Sequence, residues 1–496
     1  MGASWDAAEY WHALIPGSDV ITEVPMSRWD HAMYYDDDPE CWKRLQVNVK
    51  HVSLIDGLEL FDAKFFRLSP AETRGMDPMQ RQILEVGYHS LCHAGCTTKT
   101  LLQSLTAVYV GCPTSEWTLV DQGVSEAGGC EQRCAGTGFA GSIMSNRFSF
   151  VFGMNGPSVT FDTDASSSLV ILEAGSVALD ERRVIWLFVR STPRWPAVLP
   201  RAELKNVVLT PLTWLNRVGL GHMSPAGRCF TFDQSSSGFV KGEGVTGIAL
   251  DRLTETIEGV LVQDESRPLV GTIGSVAVSH MGQAASLGTP HGPSVQRVIA
   301  EACREARVDG LSIDAVECMG DGQALNDAVE VTSLCKALTS ETWRIPLQLG
   351  SVKSNVGNSI QASGMAQILK VLFSQSFGLQ PPSLHLRQLL PQAEAVLESP
   401  AVFGNEVLAF HTRTSLVGIT SFGWGGTICH AVCSGGLDLV ASTEPLPRPL
   451  DAYHVVGSWD GWLKGGSADA AACAAFYSFE EFQVLLDGDL GRAPQV

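Results

Sequence analysis

Ser158-Val159-Thr160-Phe161-Asp162-Thr163-Asp164-Ala165-Ser166-Ser167-Ser168-Leu169 is the stretch that decides the fold. Residues 158–162 read as a short strand rich in β-branched and aromatic side chains. A polar Asp-Ala-Ser-Ser-Ser cluster follows, and residues 169–179 continue as an apolar helical pattern. A strand that turns directly into a buried helix is a unit of a layered α/β protein.

Similar units lie on either side. Asp77-Pro78 suits the first turn of a helix, Met79, Ile83, Leu84, Tyr88 and Leu91 recur at helical spacing, and Gly95 supplies a C-cap, so residues 76–95 are expected as a helix. Residues 105–111 alternate apolar and small side chains as a strand does. Residues 295–306 place Val295, Val298, Ile299 and Ala302 on one helical face. Residues 348–354 and 415–420 read as strands leading into glycine-rich turns. Residues 182–218, rich in Trp, Pro and Arg, fit neither period and are expected as a surface excursion.

The texture changes after Gly436. Residues 1–436 are expected as the main domain, and Pro445, Pro447 and Pro449 mark a Pro-rich linker over 437–452. Residues 453–496 then read as a short β-rich segment, the size of a truncated module. Its Gly457-Ser458-Trp459-Asp460-Gly461-Trp462 run faintly resembles starch-binding modules, although a packing strand is the plainer reading.

Composition bounds what such a chain does. With 496 residues, 45% hydrophobic and 18% charged, it buries a sizeable core and is neither disordered nor fibrous. A net charge of −19 with no basic run argues against nucleic acid and anionic membranes as partners. No stretch of eighteen apolar residues is present to span a bilayer. Residues 1–12 lack the basic and apolar regions of a secretory signal, so the cytoplasm, or an organelle such as a plastid, is the expected compartment. The thirteen cysteines are scattered; Cys92/Cys96 and Cys130/Cys134 are the close pairs, and neither has a second pair at zinc spacing. Free buried thiols are expected, and no metal site.

Eight motifs then lie in one familiar order. Glu23-Val24-Pro25 precedes Arg28-Trp29-Asp30 and Tyr34-Tyr35; Phe61-Asp62-Ala63, Phe65-Phe66, Ser69-Pro70 and Met76-Asp77-Pro78 with Gln80-Arg81 follow. The middle carries Gly153-Met154-Asn155-Gly156-Pro157-Ser158, Cys229-Phe230-Thr231-Phe232-Asp233 and Gly238-Phe239-Val240-Lys241-Gly242-Glu243-Gly244. Late come Gly350-Ser351-Val352-Lys353-Ser354-Asn355, Pro381-Pro382-Ser383-Leu384-His385 and Ser421-Phe422-Gly423-Trp424-Gly425-Gly426-Thr427. Over roughly residues 5–432 the chain resembles the β-ketoacyl synthase (ketosynthase) domain of type I modular polyketide synthases. The resemblance implies a thiolase-like five-layer α/β/α/β/α sandwich of two similar halves, to which the short β-rich C-terminal segment is added. It also leaves the family's first strand, ahead of Trp5, without a counterpart, which reads as an incomplete start or a sheet lacking an edge strand.

Ketosynthases join acyl units by decarboxylative condensation, which needs a thiolate at a helix N-terminus, donors for the enolate and an oxyanion hole. The resemblance places the nucleophilic cysteine at Ala165 and the two histidines at Met319 and Asn358. A methyl group does not attack a thioester, and a thioether neither donates a proton nor has useful basicity. The carboxamide of Asn358 still donates a hydrogen bond but exchanges no proton near neutral pH. Ser166 follows by one helical residue, about 100° round the axis, and with Ser167 and Ser168 reads as helix capping. Lys353, which the family uses to orient the site, is expected in a structural pair with a carboxylate such as Glu317. Asp327 and Glu330 stand where the family keeps acidic scaffold residues, and His430 is implied as structural. Phe422, Gly423, Trp424, Gly425 and Gly426 form the glycine-rich gate, whose N–H groups, with that of Ala165, are expected to offer an oxyanion hole.

A ketosynthase-like protein of polyketide or fatty-acid biosynthesis follows, one without decarboxylative condensation. Its expected role is that of a dimer partner, a chain-length-factor-like subunit or a carrier-docking scaffold. The implied partners are an acyl carrier protein, with acyl groups on its phosphopantetheine and no cofactor bound here, and a second ketosynthase subunit, identical or active. Two alternatives stay open: an active β-ketoacyl-carrier-protein synthase, acyltransferase or decarboxylase with an altered site, and a binding protein working through its C-terminal segment. Folding could also bring His222, His280, His291, His385 or His411 in as a substitute base.

Overall fold

Short β-branched and aromatic segments alternate with apolar helices along the chain, and in the computed structural model they form two sheets of the same design. The structure describes residues 7–435 except 118, 120–134, 181–202, 251–253, 258–259, 264–270, 341–344, 395–400 and 411–414. The expected linker at 437–452, the segment at 453–496 and the Cys130/Cys134 pair lie outside the described residues. The first sheet holds β1 (Val108–Gly111), β2 (Ser158–Phe161), β3 (Glu203–Asn206) and β4 (Gly244–Thr246) in the order β2-β1-β3-β4. The second holds β5 (Thr272–His280), β6 (Ala315–Glu317), β7 (Leu347–Gly350), β8 (Ala401–Phe403), β9 (Leu416–Phe422) and β10 (Thr427–Ser434) in the order β8-β7-β6-β9-β10-β5.

The duplication is in the topology. β1 lies parallel to β2 and β3, and β3 antiparallel to β4; β6 lies parallel to β7 and β9, and β9 antiparallel to β10. Each half therefore repeats one strand order, β2-β1-β3-β4 against β7-β6-β9-β10. The helices complete the layers. Helices α1 (Pro78–His93) and α2 (Gly141–Phe152) cover the outer face of the first sheet, and α4 (Gly292–Ala306) and α5 (Ala324–Leu338) that of the second. Between the sheets run α3 (Ser167–Asp180) and α6 (Ser363–Phe377), touching each other and both sheets. This is the five-layer α/β/α/β/α arrangement of a thiolase-like fold.

Burial follows from these positions. Helix α6 has no solvent-facing side; every residue from Ser363 to Gln375 is buried, polar ones included. Its amide N–H groups and ammonium are therefore tied to partners, as most buried polar groups are, although the Oε1 atoms of Gln367 and Gln375 have none among the described residues. Gln367 Nε2 donates to the carbonyls of Cys318 (2.7 Å) and Thr420 (3.1 Å), Gln375 Nε2 to those of Ser415 and Cys433 (both 3.0 Å), and Lys370 Nζ pairs with Glu317 at 2.7 Å. On the outer faces one-sided burial suffices: Val295, Val298, Ile299 and Ala302 of α4 pack into the same core as Val316, Leu334 and Leu349, while Val108, Val110, Met144 and Phe148 share the core of the first half.

Two expectations need correction. The segment expected as one strand over 348–354 stops at Gly350, and Lys353–Val356 is a helical turn; the Val352 N–H turns out of the ladder to the Glu317 carboxylate at 2.6 Å. The excursion expected over 182–218 is, from Glu203 on, structural: β3 is an inner strand, Trp214 is fully buried, and Leu215–Gly219 is helical. Its irregular composition serves burial against several elements at once, which leaves no single period to read. Among the described residues no helix is long and apolar enough to cross a membrane, and no group of three or more metal-ligating side chains is found.

Candidate active site

The segments after four strands, β2, β6, β7 and β9, meet at one small cavity of about 40 Å3, lined by Ala165, Met319 and Asn358 together with Phe422, Gly423 and Trp424. The turn between β2 and α3 supplies Ala165, buried to 1% exposure. Asp164 before it adopts a left-handed backbone, φ 57°, a conformation that aspartate tolerates better than most residues. The serines that follow close the turn: Ser166 Oγ donates to the Thr163 carbonyl at 2.7 Å, Ser167 Oγ to the Asp164 carbonyl at 2.8 Å while accepting the Thr163 N–H, and Ser168 Oγ crosses to the Gln361 carbonyl at 2.7 Å. Ser166 thus has its hydroxyl bound to the backbone, but as a donor to a preceding carbonyl and not as the acceptor of a helix N–H that capping requires.

Met319 sits in the turn after β6. Its N–H and that of Gly320 are both held by the Glu330 carboxylate, at 2.7 and 3.0 Å. Lys353 comes up from behind, its Nζ 2.5 Å from the Met319 carbonyl and 3.3 Å from its sulfur. The expected Lys353–Glu317 pair is not formed, because Glu317 is taken by Lys370 and the Val352 N–H. Burial lowers the Lys353 pKa, opposed by the nearby Asp321, Glu330 and Glu317 carboxylates. Burial likewise raises Glu330 to about 7, despite its two backbone donors, and Asp327, which accepts the Phe232 N–H at 3.0 Å, is raised as well. Lys353 itself is not among the lining residues; it bonds to Met319, which is.

Asn358 follows β7. Its Oδ1 accepts from the Ile360 N–H (3.0 Å) and the Ser363 hydroxyl (2.8 Å), which leaves Nδ2 as the part of the amide free for a ligand. Ile360, also on the cavity wall, has φ 43°, an outlier for a β-branched residue and a sign that packing dictates this turn.

The gate departs from expectation. Its N–H groups were expected to form an oxyanion hole, but Gly423 N–H is bonded to the Thr427 carbonyl (2.8 Å), Gly426 N–H to the Gly423 carbonyl (2.9 Å), and Trp424 N–H to the Asp164 carboxylate (3.0 Å). Gly425 and Gly426 stand behind the wall, their carbonyls accepting from His280 Nε2 and the Met281 N–H. A close approach of another segment is the reason for glycine at 423: a Cβ there would run into the Thr163 carbonyl oxygen.

A second wall is formed by Asp164, Arg217, His222 and Asp321; sequence reasoning pointed to His222 alone, as a candidate substitute base. Arg217 ion-pairs with Asp164 and stacks over the Trp424 ring, 4.2 Å from its centroid. His411 lies outside the described residues; of the other spare histidines, His222 is the one folding brings to the cavity, edge-on to Trp424, and burial and the Arg217 charge lower its pKa and favour the neutral ring. Its only signal was its imidazole, just after a segment without periodicity and outside the ordered motifs. Cys318 is no replacement thiol: it is fully buried, and burial with nearby carboxylates pushes its pKa well up. His430 is buried against Thr420 Oγ1 at 3.1 Å and is not among the cavity's lining residues, in keeping with a structural part.

Comparison with known proteins agrees with this architecture. Residues 2–185 and 205–256 match the family model of the β-ketoacyl synthase N-terminal domain, and residues 270–387 that of the C-terminal domain. The PKS-NRPS hybrid synthetase ATPKS of Aspergillus niger is 32% identical over 440 residues, 86% of this chain and 22% of that protein. Polyketide synthase PksL of Bacillus subtilis is 32% identical over 445 residues, 85% of this chain and 9% of that protein. The chain thus spans less than a quarter of the length of these two relatives. Among solved structures, a cysteine-to-serine mutant of the ketosynthase from module 6 of the bacillaene synthase of Bacillus subtilis superposes with a TM-score of 0.74 at 25% identity, covering 88% of this chain and 70% of that one. The Streptomyces albus oxazolomycin ketosynthase domain gives 0.74 at 26% identity, covering 91% and 74%. Sequence motifs, repeated topology and family matches converge, and the chain belongs to the β-ketoacyl synthase family as a ketosynthase domain of the polyketide-synthase kind.

Proposed function

We propose that this ketosynthase domain does not catalyse decarboxylative condensation and serves polyketide or fatty-acid assembly as a dimer partner, chain-length-factor-like subunit or carrier-docking scaffold. One observation carries the reading: the methyl of Ala165, the thioether of Met319 and the amide of Asn358 line the same cavity. Groups that act together in catalysis are lost together, and removing a nucleophile with its acid–base partners forfeits nearly the whole rate enhancement. The neighbouring serine is bound to the backbone, and the buried Cys318 thiol is held away from its thiolate form. A place for a second subunit is supported by β2, which is the edge of its sheet among the described residues, with Val159 41% exposed on it and Phe150 of the adjacent α2 83% exposed. Exposed apolar side chains beside an unpaired strand favour pairing with another chain.

The test is covalent loading. Incubated with a radiolabelled acyl thioester, the full chain is expected to stay unlabelled, while Ala165→Cys gains label at that position. A stable acyl adduct on the unaltered chain would sink the proposal. The second reading, decarboxylation by an altered site, is favoured by His222 and Asn358 facing the same cavity. Release of carbon dioxide from a malonyl-carrier protein, abolished by Asn358→Ala, would support it instead.

A further inference from the structure

We propose that the Asp164 carboxylate is the resident ligand of the cavity's anion-binding position, which would otherwise take a small carboxylate. This rests on the noncatalytic reading above, since it describes a site closed by its own chain. The two oxygens of Asp164 are divided between a backbone donor and a cation: Oδ2 accepts the Trp424 N–H at 3.0 Å, and Oδ1 pairs with Arg217 Nη2. That is the donor set a free carboxylate seeks, one N–H and one guanidinium arm, and charge-assisted bonds of this kind are the stronger class. All of it lies on the cavity wall with Ala165, His222 and Asn358.

The placement is enforced. Asp164 is held at φ 57° by Ser167, whose N–H and hydroxyl both donate to its carbonyl, at 3.1 and 2.8 Å, and by the Asp162 carboxylate, which accepts its N–H at 3.2 Å. Arg217 in turn is fixed by stacking over Trp424 at 4.2 Å. The side chains of Arg217 and Asp164 are 14% and 21% exposed. Freed of Asp164, therefore, the guanidinium would remain in place, partly desolvated and still reachable from solvent, as a stronger anion site than an exposed arginine.

The experiment titrates the full chain with malonate at constant ionic strength and reads heat of binding. Unaltered protein is expected to show no saturable binding in the millimolar range. Asp164→Gly keeps the left-handed backbone without strain and is expected to bind malonate at least about tenfold more tightly. Adding Arg217→Ala to that variant should remove the gain. Three results overturn the proposal: unaltered protein that binds as tightly as Asp164→Gly, no gain in a folded Asp164→Gly chain, or a gain that survives loss of Arg217. Should Asp164→Gly not fold, Asp164→Asn decides, because it retains an acceptor for Trp424 while leaving the Arg217 charge without its carboxylate; there too a gain supports the proposal and its absence overturns it. Acyl labelling of the unaltered chain would remove the noncatalytic reading, while the titrations would still decide independently whether Asp164 fills the anion position.

Discussion

The turns after β2 and β7 hold equivalent places in the two halves, and both feed the cavity, one with Ala165 and the other with Asn358. After β7 every residue from Gly350 to Gln375 is buried, and the turn is pinned by Glu317, Ser383 and the Val240 carbonyl, which hold the N–H groups of Val352, Ser351 and Asn358. After β2, Asp162 is exposed and Thr163 and Asp164 are half-buried; an ion pair on the cavity wall and a serine cluster do the holding. The difference shows what has been kept. The buried half retains a charged scaffold, although the groups it would orient are a thioether and an amide, whereas the outer half closes on itself.

Breaking the buried side should cost most. Lys353→Met is expected to lose about 3–5 kcal/mol in urea unfolding, since it removes one partner of a buried charged network and leaves Glu330 and Asp321 uncompensated. Equal stability for this variant would mean that the scaffold is not under electrostatic tension. Gly423→Ala probes where the gate meets the outer turn; with a backbone oxygen in the path of the new Cβ, a loss of about 2 kcal/mol is expected by the same measurement.

Acid offers a third probe. Burial lowers His430 to about 3, against about 6.5 in an unfolded chain. A depressed histidine contributes stability that is intact above the unfolded pKa and is lost as pH falls toward the folded one. The stability of His430→Gln minus that of the unaltered chain should therefore rise by up to about 1.4 kcal/mol per pH unit below pH 6.5. A pH-independent difference would place the imidazole in solvent contact. The smallest effect belongs to the outer turn: Arg217→Ala is expected to cost about 1 kcal/mol, measured by thermal unfolding, because it leaves Asp164 without its cation, although the cavity still admits some solvent to that carboxylate.

Much of the first half was legible because its elements are one-sided. Helix α1 showed its apolar stripe, and Asp77 caps it as the sequence indicated, its carboxylate accepting the Met79 N–H at 2.6 Å. Ala165, Met319 and Asn358 were reached only through register against a family, yet folding does bring all three to one wall. Arg217 and Trp214 were hidden, since a segment buried from several directions has no period. The Lys353 partner was misjudged for a related reason: sequence gives the charges but not which of two lysines, Lys353 or Lys370, reaches Glu317 first.

Sequence by itself determined the alternation of strands and helices, the motif order and the side chains standing at 165, 319 and 358, because these are local or fixed by covalent order. Tertiary structure alone decided that the halves repeat one strand order, that the gate's Trp424 N–H is already satisfied, and that Asp164 meets Arg217. Those are contacts between residues 53 and 260 positions apart; such pairings depend on how the sheets and central helices pack, and no local pattern encodes them.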